Sequence, residues 1–284
     1  VSNVVETVGI LGAGQMGSGI AEVAAQSGLA VVLVDVSQAV AEKGRSRIAA
    51  GLAKQVERGK MAGTERDALL ERIRTAGDMG EFGQVDYVVE AATEDQALKR
   101  EIFRNIDRAA RPGVVLATNT SSISVTLLGA ATSRPEKVIG LHFMNPVPRM
   151  RLVEVVRGLT TDDQTFAVTL DLVARFGKTP VTSRDIPGFI VNRILLPLIN
   201  EAVYALYEGL GTAQDIDQAA KLGLNHPMGP LELADLIGLD TCLAILEVMH
   251  RELGEDKYRP CPLLRQYVAA GWFGRKTGRG FYPY

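Results

Sequence analysis

At 284 residues the chain is long for one hydrophobic core, so two domains are the expectation. Hydrophobic residues at 46% and charged residues at 23% describe an ordinary soluble globular protein, and a formal net charge of −2 speaks against nucleic acid as a partner. No apolar run approaches the ~18–20 residues that span a bilayer, and no basic–apolar–small leader pattern precedes the first strand, so a cytoplasmic protein is expected.

Thr7–Leu11 and Val31–Val34 are short, β-branched runs of the kind buried parallel strands show. Met16–Ser27 between them reads as a helix with Gly19, Ala21, Ala24 and Ala25 toward the sheet, which completes a βαβ unit. Residues 37–74 read as helical and polar, with a break at Gly59–Gly63 that predicts a helical hairpin. The strand rhythm resumes at Val85–Val89, Val114–Ala117 and Val138–Leu141, around a helical segment Gln96–Ala110. Leu152–Val156 and Thr179–Thr182 read as further strands flanking a helix Asp163–Phe176.

After Asp185 the strand rhythm stops at Pro187-Gly188, and Phe189–Glu208, Ala213–Leu222, Leu231–Ile237, Asp240–Arg251 and Leu263–Ala269 read as helices. The pattern predicts an α/β domain over residues 1–185 and an all-α domain over 186–284. The first is expected to be a Rossmann-type, mostly parallel sheet with the helical hairpin as an insertion.

Gly12-Ala-Gly14-Gln15-Met16-Gly17 follows the first strand and opens the first helix. Gly12 suits the tight turn, Gly14 the close approach of a pyrophosphate, and Gly17 close packing of helix on strand. The helix N-terminus then faces the phosphates with its unpaired N–H groups. Asp35 ends the second strand, where a carboxylate accepts ribose hydroxyls and repels a 2′-phosphate, and no arginine follows it directly. The turn predicts NAD rather than NADP.

Cys242 and Cys261 lack metal-ligand spacing, and no metal is implied. Of the three histidines, His226 before Pro227 and His250 at a polar helix end read as structural. His142 ends a strand of the nucleotide domain, where an imidazole is well placed to take a hydroxyl proton. Glu154 on the following strand supplies a carboxylate to orient it. Ser121 and Asn192 are uncharged hydrogen-bonders able to hold a reacting oxygen without competing for its proton.

Asn119-Thr-Ser121-Ser122-Ile123, His142-Phe-Met-Asn145-Pro146-Val-Pro148, Leu152-Val-Glu154, Pro187-Gly-Phe-Ile-Val-Asn192-Arg193, His226-Pro-Met-Gly-Pro230, Gly238-Leu-Asp240 and Lys276-Thr-Gly278-Arg-Gly280-Phe-Tyr282 occur in this order along nearly the whole chain. Together they resemble the L-3-hydroxyacyl-CoA dehydrogenase family, most closely its stand-alone bacterial members acting on 3-hydroxybutyryl-CoA. The resemblance implies reversible, NAD-dependent oxidation of an (S)-3-hydroxyacyl-CoA, with His142, Glu154, Ser121 and Asn192 as the catalytic set in a cleft between domains.

The same resemblance implies NAD contacts at Gly12, Gly14, Gln15, Met16, Gly17 and Asp35, then at Glu94, Lys99, Asn119, Ser121, Asn145 and Lys276. By residue type alone, Glu94 and Lys99 read as a solvated helix start. Coenzyme A carries several phosphates, and Lys54 and Arg58, four apart on one face of the hairpin, are implied to meet its tail, with Lys60 at the break. Gly51 stands where the family often has serine, and Arg58 where lysine is common. Ser121 and Asn192 also serve the acyl substrate in this reading. The leucine-rich C-terminal helices are expected to form a homodimer interface. Two other readings share the scaffold: a dehydrogenase of a free hydroxy acid, and a non-catalytic dinucleotide-binding relative.

Overall fold

The computed structural model describes residues 4–284. Backbone proximity divides the chain into two compact units, Val1–Ile186 and Pro187–Tyr284.

The first unit holds a sheet of eight strands: β1 (Thr7–Leu11), β2 (Ala30–Val34), β3 (Ile73–Ala76), β4 (Tyr87–Glu90), β5 (Val115–Thr118), β6 (Val138–Phe143), β7 (Leu152–Arg157) and β8 (Thr179–Arg184). Their order is β3-β2-β1-β4-β5-β6-β7-β8, parallel throughout except for the antiparallel β6–β7 pair. Helices α1 (Gln15–Gln26), α2 (Gln38–Glu57), α3 (Gly63–Glu71), α4 (Gln96–Ala109), α5 (Val125–Gly129) and α6 (Asp163–Arg175) connect the strands. β1 lies between β2 and β4, so the strand order reverses there. In such sheets the crevice beyond the C-terminal strand ends at the reversal is where ligands bind.

The central strands are apolar because both faces are covered: Val8, Ile10, Leu33, Val89, Leu141 and Val155 are fully buried in one core. The Rossmann-type sheet and the hairpin α2–α3 agree with the sequence reading. β3 does not, because the sequence reading carries its helical, polar stretch to Arg74 and assigns residues 75–76 to no element. Only the end residues of β3, Ile73 and Ala76, are buried, while Arg74 is exposed and Thr75 half-buried, so no apolar run announces an edge strand beside β2.

The second unit consists of α7 (Val191–Tyr207), α8 (Ala213–Gly223), α9 (Pro230–Ile237), α10 (Leu239–Leu253) and α11 (Pro262–Ala269) around Leu196, Ile199, Leu231, Leu246, Met249 and Leu264. α7 starts two residues later than its apolar pattern suggests, since Phe189 adopts a left-handed φ of 49°. Two buried carboxylates clasp the C-terminal segment. Asp217 accepts from the Leu231 and Glu232 amides and from the Tyr282 hydroxyl, and Asp235 accepts from the Phe281 and Tyr282 amides and the Tyr284 hydroxyl.

Candidate active site

The turn after β1 is built by steric necessity. Gly12 has φ +100°, and a Cβ there would lie 2.5 Å from the Ala91 carbonyl oxygen. A Cβ on Gly17 would lie 1.7 Å from the Gly12 carbonyl oxygen, so α1 can begin against the turn only with glycine. Gly14 differs: a Cβ there would meet nothing within 4 Å, which leaves room above the helix N-terminus. No side chain caps α1 and no acidic residue stands in its first turn, so its N–H groups and dipole present an uncompensated positive end. Asp35 binds the turn itself, accepting from the Ala13 amide at 2.6 Å and the Val36 amide at 2.7 Å. A carboxylate so anchored has lone pairs left for a ribose diol, so the cradle fits a dinucleotide without a 2′-phosphate.

A second cluster forms past β4 and β5. Glu90 and Lys99 are 0% and 1% exposed, and the Lys99 ammonium donates to both Glu90 oxygens at 2.8 and 2.7 Å. Glu90 also accepts from the Thr118 hydroxyl and the Ala92 amide. Lys99 is therefore a buried ion-pair member rather than part of a solvated helix start. Glu94 stands beside it, accepting from the Thr120 hydroxyl at 2.8 Å and the Ser121 amide at 3.3 Å. Desolvation by the protein around it pushes the Glu94 carboxyl above its ordinary pKa, with Lys99 and these hydrogen bonds pulling the other way. Glu94 keeps solvent access at its surface, which limits the energetic weight of that shift. Asn119 braces the end of β6 by accepting from the Phe143 amide at 2.9 Å.

In the antiparallel β6–β7 pair, His142 and Glu154 are directly opposite. Imidazole Nδ1 and carboxylate Oε2 are 2.8 Å apart, with Glu154 fully buried and His142 7% exposed. A carboxylate facing Nδ1 favours the tautomer with the proton on that nitrogen and the lone pair on Nε2. The loop after β6 packs onto α1: Gln15 donates to the Asn145 side-chain oxygen at 3.1 Å, and Val147 lies against Gly19, where a Cβ would be 2.8 Å from it. Lys178 fastens the far side of that loop by donating to the Val147 and Met150 carbonyls.

On the hairpin, Lys54 and Arg58 are both exposed, at the end of α2. Arg47 lies seven residues before Lys54, on the same helical face, and its guanidinium donates to the Ala13 carbonyl of the glycine turn at 3.0 Å. In the second unit, Asn192 is buried in the first turn of α7, and the Lys276 ammonium pairs with Asp240 at 2.5 and 2.6 Å. His250 stands in the last turn of α10, 3.8 Å from Asp256.

The model of the 3-hydroxyacyl-CoA dehydrogenase NAD binding domain matches residues 7–186, and that of the same enzymes' C-terminal domain matches residues 188–284. The chain belongs to the 3-hydroxyacyl-CoA dehydrogenase family. It is 54% identical over 281 residues to a 3-hydroxybutyryl-CoA dehydrogenase of Bradyrhizobium diazoefficiens, covering 99% of this chain and 96% of the relative. It is 41% identical to the human mitochondrial hydroxyacyl-coenzyme A dehydrogenase, covering 99% and 92%. The crystal structure of (S)-3-hydroxybutyryl-CoA dehydrogenase from Ralstonia eutropha superposes with a TM-score of 0.96 at 49% identity, covering 99% of both chains.

Several residues that build these clusters escaped the sequence reading. Glu90 carried a signal, a lone charge closing the apolar run Tyr-Val-Val-Glu, which demands a buried partner. Arg47 carried its spacing to Lys54. Thr118, Thr120 and Lys178 carried no signal, since only the folded chain brings them to their partners.

Proposed function

We propose that this chain catalyses the reversible, NAD-dependent oxidation of (S)-3-hydroxyacyl-CoA to 3-oxoacyl-CoA, with a short acyl group such as 3-hydroxybutyryl favoured. The buried His142–Glu154 pair carries the reading: a dry imidazole held by a carboxylate is a base suited to a secondary alcohol. His142 Nε2 takes the hydroxyl proton, and Glu154 stabilises the imidazolium that results. Ser121 and Asn192 hold the reacting oxygen by neutral hydrogen bonds. Bound NAD supplies the hydride acceptor. Gly12, Gly14, Gln15, Met16, Gly17 and Asp35 hold its adenosine and pyrophosphate, and Glu94, Lys99, Asn119, Ser121, Asn145 and Lys276 serve the remainder. Lys99 acts from beneath the surface through Glu90 and its neighbours, and Lys54 and Arg58 face the phosphates of coenzyme A.

Consumption of NADH by the purified chain with acetoacetyl-CoA is the expected result, with free acetoacetate turned over poorly. Equal rates on the two would replace this reading with a dehydrogenase of free hydroxy acids, and no consumption with any CoA ester would leave a non-catalytic relative.

A homodimer through the C-terminal helices is part of the proposal, supported by exposed Ile194, Leu222, Leu224 and Leu236 in the second unit. Sedimentation equilibrium at the monomer mass would refute it. No helix among the described residues is long and apolar enough to cross a membrane. The cytoplasm is the compartment we assign, consistent with two unbridged thiols, Cys242 and Cys261.

A further inference from the structure

Asp185 is the first residue beyond β8 and stands one residue before the end of the first unit. Its carboxylate gathers three donors from a segment some sixty positions earlier in the chain: the Ser124 hydroxyl at 2.7 Å, the Val125 amide at 2.9 Å and the Thr126 amide at 2.8 Å. Ser124 already caps α5 locally by accepting from the Leu127 amide, so the carboxylate is a second, non-local anchor at that helix start. Three charge-assisted bonds fix this point more firmly than a cap alone.

The other end of the same loop is fixed independently. The Asn119 amide donates to the Glu90 carbonyl, and the Thr120 hydroxyl donates to Glu94. Thr120 also accepts from the Ser122 and Ile123 amides. Ser121 and Ser122 stand half-buried between the two anchors, and the loop's own hydrogen bonds use the Thr120 hydroxyl rather than theirs. A loop held at both ends by carboxylates presents the intervening side chain with little freedom, and that is the requirement for a group that must meet a reacting oxygen to within a fraction of an ångström.

We infer that Asp185 is a positioning residue of the dehydrogenase reaction, acting through Ser121 by fixing the downstream end of its loop. The inference rests on the proposed function in so far as Ser121 meets the substrate there. Asp185→Asn keeps the shape but turns an amide N–H₂ toward donors, which loosens the loop end.

The test is a double-mutant cycle on the full chain with acetoacetyl-CoA and NADH, using Asp185→Asn, Ser121→Ala and the pair. Asp185→Asn is expected to lower kcat/KM on the order of 10–100-fold, with the loss chiefly in kcat and a smaller change in the NADH dissociation constant. In the Ser121→Ala background the same change is expected to cost less than about threefold, because the group being positioned is gone. A full multiplicative loss in the pair, an equal loss of NADH affinity, or full activity of Ser121→Ala would each overturn the inference. If Asp185→Asn does not fold, Ser124→Ala removes one of the three bonds, keeps the carboxylate, and is read by the same cycle. An inactive wild-type chain would instead strike at the proposed function, so the two failures are distinct.

Discussion

His142 and Glu154 occupy opposed positions of the sheet's one antiparallel strand pair, with Nδ1 2.8 Å from Oε2 and the carboxylate wholly withdrawn from solvent. Opposed residues in a ladder share a face and cannot drift relative to one another without breaking the strand pairing. The imidazole is thereby oriented by backbone register as well as by its hydrogen bond.

His142→Gln is expected to abolish turnover of acetoacetyl-CoA while leaving NADH binding close to wild type, as read by fluorescence titration. Glu154→Gln, which keeps the shape and removes the charge, should lower kcat on the order of 10²–10⁴-fold. Activity within a few-fold of wild type in either variant would remove the pair from the mechanism.

Asp35 accepts from the turn amide of Ala13, and in the proposed binding mode its charge would stand beside a 2′-phosphate. Asp35→Ser should shift the ratio of kcat/KM for NAD over NADP toward NADP by about tenfold or more, equivalent to ~1.4 kcal/mol of relieved repulsion and lost ribose hydrogen bonding. An unchanged ratio would place cofactor choice elsewhere.

The glycines of the turn should separate into two kinds. Gly17→Ala puts a methyl 1.7 Å from the Gly12 carbonyl oxygen and should yield little folded protein. Gly14→Ala meets no protein atom, so thermal stability should hold while NADH affinity falls, because the methyl enters the ligand's space. Loss of stability in Gly14→Ala without loss of affinity would contradict this division.

Lys99 and Glu90 form an ion pair almost without exposure. Lys99→Met leaves a buried carboxylate without its cation and should cost about 3–5 kcal/mol in chemical denaturation. The pair Glu90→Gln with Lys99→Met should recover part of that loss, since no charge is then stranded. Additive losses would mean that the two side chains stabilise the fold independently.

Burial, reinforced by the charge of Asp217, holds the Asp235 carboxyl above its ordinary pKa despite the amide hydrogen bonds it accepts. Between the ordinary and the raised value, the folded protein keeps a proton that the unfolded chain has released. Stability from this group therefore falls as pH rises through that interval, which begins near pH ~3.9. Asp235→Asn should flatten this part of the stability–pH curve. It should also cost about 1–3 kcal/mol at neutral pH, where an amide N–H₂ would face the Phe281 or Tyr282 amide. A variant curve parallel to wild type would assign the slope to other groups.

Much of the molecule was legible in short windows of sequence. Apolar β-branched runs identified the central strands because a strand covered on both faces has no polar side to hide in. The glycine spacing and Asp35 identified the dinucleotide turn because each glycine answers a local steric demand, as the contacts at Gly12 and Gly17 show. Neither β3 nor the ion pair of Lys99 was legible. β3 is held by pairing with β2, about forty residues earlier in the chain, rather than by its own apolarity.

The sequence by itself determined most of the local geometry: the central strands and the helices, where the chain must turn through glycine, and which residue types stand at the strand ends. Only the tertiary structure decided which of those residues meet. Sheet order sets Glu90 beside Thr118, strand register sets His142 against Glu154, and the end of β8 brings Asp185 to Ser124. Hydrogen bonds and ion pairs act over about 3 Å, while their partners here lie 12 to 61 positions apart, so the backbone path through the fold is what selects them.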